Sequence, residues 1–378
     1  MTEKPIYLDN HATTPVDPRV LDAMMPYFKE EFGNPASRSH SYGWKAEHAV
    51  ETAREHVAAL MGAKPHEIVF TSGATEANNM VVRGFKNAVI SAIEHKSMMA
   101  PCNRMVALGG NLSFAPVDGT GRVDICKLED IVKARLACGP HPLLVSVIAA
   151  SNEVGTIQRM CDISKMAARY EKVRFHSDTT QAVGKTRVNM EAWGLHMASL
   201  SSHKIYGPKG VGALFVRDDV RHEIPAMMLG GGQEGGRRSG TVNVPAVVGF
   251  GEACRIASLD EVAYIFMLRE RLEVGLANQI PGLKVYGRGR VAGNLCVSLP
   301  CEDMDLFMSL VGEHVALSMG SACMSSGSGS HVLKAMGVAK EEAMRSIRMC
   351  VGRFNTEEDI NRAVEKIVWA LRIANSGG

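Results

Sequence analysis

Through the first two thirds of the chain, short β-branched runs alternate with amphipathic stretches, and this alternation narrows the possible folds more than any other feature. Successive strands can lie side by side in one direction only if the chain between them crosses back over the sheet. Repeated strand and helix units therefore build an α/β fold: a mostly parallel sheet flanked by helices. Strand candidates fall at residues 67–71, 89–93, 143–150, 173–177, 197–201 and 212–216. The clearest helix runs from Trp44 to Met61, where Ala46, Ala49, Val50, Ala53, Val57, Leu60 and Met61 recur at three- and four-residue steps and Gly62 supplies the stop. Each strand candidate ends beside polar residues, the side on which open α/β sheets bind ligands.

The pattern changes after the glycine-rich stretch at 229–240, which opens into helices near 245–257 and 260–278. Beyond it come strands near 283–286 and 294–299, a helix at 304–312, a strand at 346–351 and a last helix at 356–373, which reads as a smaller α+β domain. The one low-complexity segment is 320–330, with three Gly and five Ser.

Forty-two Lys and Arg balance forty Asp and Glu for a net charge of +2, and basic residues cluster no further than pairs such as Arg237 and Arg238, so direct nucleic acid binding is not expected. The longest apolar run, 143–150, is far short of the roughly 18 residues a membrane helix needs. Residues 1–9 carry neither the basic start nor the apolar stretch of a signal peptide, which predicts a cytoplasmic protein. Nine cysteines (102, 126, 138, 161, 254, 296, 301, 323 and 350) form no C-x-x-C pair, so no metal site is expected, and most read as small buried hydrophobes of a reducing compartment.

Several residues at strand ends could carry chemistry. Ser72-Gly-Ala-Thr-Glu-Ala-Asn78 follows a strand candidate; its glycine permits a tight turn into a helix whose first amides, with the Thr75 hydroxyl, could hold a phosphate, although a plain capped helix has the same pattern. Asp178 follows another strand candidate, three residues before Gln181, and suits a partner for a protonated pyridine nitrogen; alone it would more often be a cap or turn residue. Lys204, in Ser201-Ser-His-Lys204, could form a Schiff base with an aldehyde cofactor while Ser201 and His203 hold its phosphate; the plain alternative is a solvated loop lysine. His95 could stack on a flat ring and shuttle protons, or be structural. Arg348 could offer a bidentate fork to a substrate carboxylate, or form a rim ion pair. Cys323, unlike the other cysteines, sits among Ser and Gly, where a thiol on an exposed, flexible arm could reach into a pocket and carry away what it has collected.

Taken together the motifs resemble the cysteine desulfurases, pyridoxal-phosphate enzymes of the class V aminotransferase group with the fold type I architecture. The resemblance covers nearly the whole chain: Tyr7-Leu-Asp-Asn-His-Ala-Thr-Thr-Pro15, Phe32-Gly-Asn-Pro-Ala-Ser-Arg-Ser-His40, Thr71-Ser-Gly-Ala-Thr-Glu76, Glu94-His-Lys96, Asn152-Glu-Val-Gly155, Gln181-Ala-Val-Gly-Lys185, His203-Lys-Ile-Tyr-Gly-Pro-Lys-Gly210, Arg238-Ser-Gly-Thr241 and Gly320-Ser-Ala-Cys323. It implies that Lys204 holds pyridoxal 5'-phosphate as a Schiff base, that Ala74, Thr75, Ser201 and His203 bind its phosphate, and that Asp178 pairs the ring nitrogen. His95 would stack on the ring, and Gln181 and Asn152 would contact its phenolic oxygen or the substrate. Thr241 would reach the neighbouring subunit's phosphate, which implies a homodimer. Arg348, with Asn34, would fix the carboxylate of L-cysteine, and Cys323 would take its sulfur as a persulfide, releasing L-alanine. The Ser- and Gly-rich segment resembles the long-loop branch that passes sulfur to an acceptor or scaffold protein, as in iron–sulfur cluster assembly. Thr179, Ser202, Met319 and Cys350 depart from the residues that family more often has. A large cofactor-binding domain at 14–258 and a small domain of 1–13 plus 259–378, carrying the Cys323 loop, are expected. The competing readings are a selenocysteine lyase, another class V aminotransferase, or a protein acting mainly as a sulfur-transfer hub.

Overall fold

The computed structural model describes residues 4–320 and 329–376. Its centre is a seven-stranded sheet in the order Ile68–Thr71, Gly212–Val216, Met197–Ser201, Val173–Asp178, Leu143–Ser146, Asn87–Ser91 and Asn111–Ala115. Only Gly212–Val216 runs against its neighbours; the other pairings are parallel. The carboxyl ends of Ile68–Thr71, Asn87–Ser91, Val173–Asp178 and Met197–Ser201 therefore open on one edge, and the loops leaving them share one space.

Both faces of this sheet are covered, which is why its strands read as continuous apolar runs. Ile68, Phe70, Leu143, Val145 and Phe175 pack on one side with the helices Ser41–Met61, Ile125–Leu136, Met160–Ala167 and Val244–Ile256. The residues between them, Val69 and Leu144, join Ala88, Ile90, Met197 and Leu214 on the other side, under Ala74–Arg83 and Lys96–Ala107. The long helix starts at Ser41, three residues before the expected Trp44, where His40 Nδ1 accepts from the Gly43 amide, and Gly62 ends it at φ 62°. The strand expected over 143–150 ends at Ser146. Val147–Ala150 stays buried and apolar, and the Val147 and Ala149 amides still donate to the His176 and Asp178 carbonyls at 3.2 and 3.0 Å. The edge strand Asn111–Ala115 carries polar residues and has no apolar run to reveal it.

A second, antiparallel sheet in the order Ser318–Met319, Ser346–Cys350, Asn294–Ser298, Lys284–Tyr286 packs with Asp260–Gln279, Met304–Gly312 and Glu357–Ser376 around its own apolar cluster. The amino-terminal strand Ile6–Tyr7 pairs with Val315–Ala316, and Ile6 and Leu8 lie in that cluster. Among the described residues no helix is long and apolar enough to cross a membrane. All eight described cysteines are free, five buried and three exposed.

Glu94 stitches two strand ends together. Its Oε1 accepts from Ser91 Oγ at 2.7 Å and from the Ile148 amide at 2.6 Å, while Oε2 is buried without a partner. Burial pushes its carboxyl up to about 8, with the Asp178 charge adding to the rise. A group whose folded pKa lies above its unfolded value contributes stability fully below the unfolded pKa, near 4.5, and loses it as pH rises through about 8. Between these limits the wild type should lose up to about 1.4 kcal/mol per pH unit from this group. Glu94→Gln should flatten that part of the profile; denaturant midpoints measured from pH 5 to 8 that fall equally in both proteins would contradict the assignment. On the opposite face, fully buried Phe250 meets Phe70 edge-on with ring centroids 6.3 Å apart. Phe250→Ala should cost about 3–5 kcal/mol, read as a lowered unfolding midpoint.

Candidate active site

The turn that follows Ile68–Thr71 is shaped by backbone contact. Gly73 has φ 149°, and a Cβ on neighbouring Gly212 would lie 2.6 Å from Gly73 Cα, so two glycines are needed where the turn presses on the sheet. A Cβ on Gly73 would meet only Ser201 Oγ, at 3.5 Å; the turn and Ser201 thus border one space. Helix Ala74–Arg83 begins there without a side-chain cap, which leaves its first amides able to meet an anion. An acidic residue in that first turn would compete with a phosphate. Burial raises the Glu76 carboxyl, but bonds from Arg238 Nε (3.0 Å) and the Ser72 amide (2.7 Å) outweigh it and hold Glu76 below the usual range, its charge compensated by Arg238.

Lys204 ends a short turn directly after Met197–Ser201. Its Nζ donates to the carbonyls of His11 (2.7 Å) and Ala12 (2.5 Å), two uncharged acceptors. Burial above all, then the nearby charges of Lys185 and Arg348, push the amine down to about 8; Asp178 and Asp9 only partly oppose this. His203 lies beside it with Nδ1 3.0 Å from Thr13 Oγ1, and burial, followed by Lys204, Lys209 and Lys185, drives its pKa to about 4. At neutral pH its imidazole is uncharged.

Asp178 is the last residue of its strand and is buried. Its Oδ1 accepts from the Thr180 amide at 3.1 Å and its Oδ2 from Asn78 Nδ2 at 3.0 Å. The same Asn78 nitrogen donates to Ser97 Oγ at 2.8 Å. Ser97 lies 2.8 Å from His95 Nδ1, which also accepts from the Ser97 amide at 3.1 Å. With Nδ1 accepting, the neutral ring carries its proton on Nε2. Burial lowers the His95 pKa, so this neutral form prevails.

From the other sheet, strand Ser346–Cys350 brings in Arg348. Its Nη2 donates to Asp9 Oδ1 at 2.8 Å and its Nη1 to the Asn152 carbonyl at 3.0 Å, while Nε is buried without a partner. With side chains 10% and 16% exposed, Arg348 and Asp9 form an interior pair, not a rim pair. Gln181 Nε2 donates to the His11 carbonyl at 3.0 Å, and its Oε1 accepts from Lys185.

These groups line one cavity of about 620 Å³. It brings together Ala74, Thr75, His95, Asn152, Asp178, Gln181, Ser201, His203, Lys204 and Arg348. Asn34 and Thr241 are exposed and do not line it, and Cys323 lies outside the described residues. Sequence reasoning assigned no role to His11, Thr13, Asn78, Ser97 or Asp9. For Asp9, His11 and Thr13 the signal was present, in the motif Tyr7–Pro15; Asn78 and Ser97 are helix residues, and the bonds of Asn78 to Ser97 and Asp178 span 19 and 100 positions. The donor set fits a phosphorylated pyridine aldehyde: a glycine-lined helix start and hydroxyl for phosphate, a buried carboxylate, and a primary amine with a lowered pKa, all lining one cavity. The departures are absorbed nearby. Thr179 Oγ1 donates to the Ser199 carbonyl at 2.9 Å, whereas Ser202 Oγ is buried without a partner and lies 2.0 Å from where a Cβ on Gly207 would sit.

The aminotransferase class-V family model matches residues 6–363. Cysteine desulfurase IscS of Anaeromyxobacter dehalogenans (strain 2CP-C) is 46% identical over 374 residues, covering 95% of this chain and 91% of that protein. A solved NifS-like protein superposes with a TM-score of 0.88 at 35% identity, over 98% of this chain and 100% of the other. SspA in complex with cysteine superposes with a TM-score of 0.81 at 32% identity, over 93% and 99%. Agreement of family, relatives and solved folds across nearly every residue makes this chain a member of the class V aminotransferase family, among its pyridoxal-phosphate-dependent cysteine desulfurases.

Proposed function

We propose that the cleft takes the sulfur from L-cysteine, with Cys323 as the first acceptor, Arg348 as the carboxylate anchor and Lys204 as both cofactor attachment and proton carrier. The observation that carries this reading is the Lys204 amine, buried between two carbonyls, pushed down to about 8, and sharing one cavity with Asp178 and Arg348.

When bound, pyridoxal phosphate supplies an electron-poor ring that takes up the electron pair left by a departing α-proton. The chain does the rest. Gly73, Ala74 and Thr75, with Ser201 and His203, would hold the phosphate, and Asp178, fixed by Asn78, would pair the ring nitrogen. His95 would stack on the ring, with its Nε2–H free to donate. With Nδ1 engaged by Ser97, His95 is poorly placed to accept a proton, so Lys204 Nζ is the base that holds the α-proton and returns it. Sulfur transfer balances: the substrate Cβ–S bond breaks and Cβ gains a hydrogen, while an S–S bond forms on Cys323, giving alanine and a persulfide.

The same reading extends to organisation. A homodimer is supported by Thr241 and Asn34, exposed outside their own cleft as residues serving a partner's site would be. Division into 14–258 and 1–13 plus 259–378 is supported by the two sheets with their separate apolar clusters. Delivery of sulfur to an acceptor or scaffold protein, for iron–sulfur assembly, rests on the likeness to IscS, and the cytoplasmic location on the absence of a signal-peptide pattern in residues 1–9.

Cys323→Ser should keep the cofactor's visible band yet lose sulfur release, because a serine hydroxyl has almost no anionic fraction at neutral pH. Mass spectrometry after cysteine addition should find one added, reductant-labile sulfur on the wild-type peptide and none on the variant; alanine formation at the wild-type rate in Cys323→Ser would overturn the assignment. Arg348→Lys keeps the charge but loses the planar fork. A charge-assisted contact is worth about 1.5–3 kcal/mol, so KM for cysteine should rise roughly ten- to hundredfold; unchanged KM would return Arg348 to a purely structural pair with Asp9.

A further inference from the structure

Lys185, four residues beyond Gln181, is a second interior lysine that the reaction as described does not use. Its Nζ donates to Gln181 Oε1 at 2.5 Å. Gln181 Nε2 donates to the His11 carbonyl, the same oxygen that accepts from Lys204 Nζ. An ammonium can only donate, so it must face the amide oxygen; a backbone carbonyl can only accept, so it must face the amide nitrogen. Two independent partners thus impose one orientation on Gln181. With Oε1 turned to Lys185, Gln181 can offer the cleft it lines its second Nε2 proton.

Lys185 and Lys204 also border one buried void of about 30 Å³, together with His11 and Cys350. The hydrogen bonds from Lys185 to Gln181 and from Lys204 to the His11 and Ala12 carbonyls end on uncharged oxygens. Glu261, the carboxylate lining the void, is paired with Arg353, Nε to Oε2 at 2.6 Å.

We propose that Lys185 is a positioning residue of the cofactor site, fixing Gln181 as a hydrogen-bond donor into the cleft and setting a second positive charge beside Lys204. Among the charges facing Lys204, Lys185 comes first, ahead of Arg348, and both oppose protonation; Asp178 and Asp9 favour it. Facing Lys185 itself are the Cys350 thiol and Arg348, and burial brings its amine down to about 8. The inference rests on Lys204 being the residue that holds the cofactor.

The test is a pH titration of the visible band in the cofactor-loaded protein. A like charge beside the Lys204 nitrogen disfavours its protonated form, so Lys185→Met should move the midpoint upward by on the order of one pH unit. Lys185→Arg, which keeps charge and donor, should stay near wild type. A Lys185→Met protein with the wild-type midpoint would overturn the proposal, as would a Lys185→Arg shift equal to that of Lys185→Met. If Lys185→Met fails to take up cofactor, Lys185→Gln is read with the same expected rise; failure of both beside a normal Lys185→Arg would leave Lys185 a structural residue and overturn the tuning role. A wild-type protein without a visible band would sink the Lys204 assignment instead, so the two failures are distinguishable.

Discussion

A single backbone oxygen, the carbonyl of His11, accepts from both Lys204 and Gln181, and the strap of chain around it joins the two sheets. On one side Thr14 takes the His203 carbonyl through its amide at 3.0 Å, and the Tyr206 amide donates to Thr14 Oγ1 at 2.9 Å. On the other, the Cys350 amide donates to the Leu8 carbonyl at 2.6 Å, Asn10 Nδ2 donates to the Cys350 carbonyl at 2.8 Å, and Asp9 receives Arg348. Residues 8–14 therefore register Arg348 against Lys204. Neither sheet could set that distance alone, because each contributes only one of the two.

The strap also explains the electrostatics. Lys204, Lys185, Arg348 and Lys209 gather around the cleft against Asp178 and Asp9, a local excess that a net charge of +2 over the whole chain conceals. Buried cations without carboxylate partners are costly unless the group lowers its own charge or a ligand supplies the missing anion. Both occur here: Lys204 and Lys185 shift down to about 8, and a phosphate with a carboxylate would supply the negative charge.

This balance decides what was legible in the sequence. Ser72–Thr75, His95, Asp178 and Ser201–Lys204 were found because each follows an apolar strand, and parallel strands bring their ends together by rule. The rule assigns a place to every residue at a strand end and to nothing else. His11 and Thr13 lie on a segment outside the central sheet, so their approach to Lys204 and His203 depends on contacts spanning about half the chain. Asn78 faces the core from the second turn of a helix, where an amide reads as a tolerated polar residue until its partners Asp178 and Ser97 are seen. Arg348 was found as a candidate, but whether it sat on a rim or in the interior depended on Asp9, 339 positions away.

The Asn78 amide shows why such unreadable residues matter to the chemistry. One Nδ2 group spans Asp178 Oδ2 and Ser97 Oγ, and Ser97 in turn sets the tautomer of His95. Asp178 and His95 thus hang from one buried side chain, itself carried by the helix that begins at Ala74. Because that helix is packed on the sheet through Ala77, Met80 and Val81, the proposed contacts to phosphate, ring nitrogen and ring face would all be referred to one rigid element. A flat cofactor with a phosphate at one corner and a basic nitrogen on its ring needs those contacts at fixed mutual distances, and a single helix meets that requirement with the fewest joints between them.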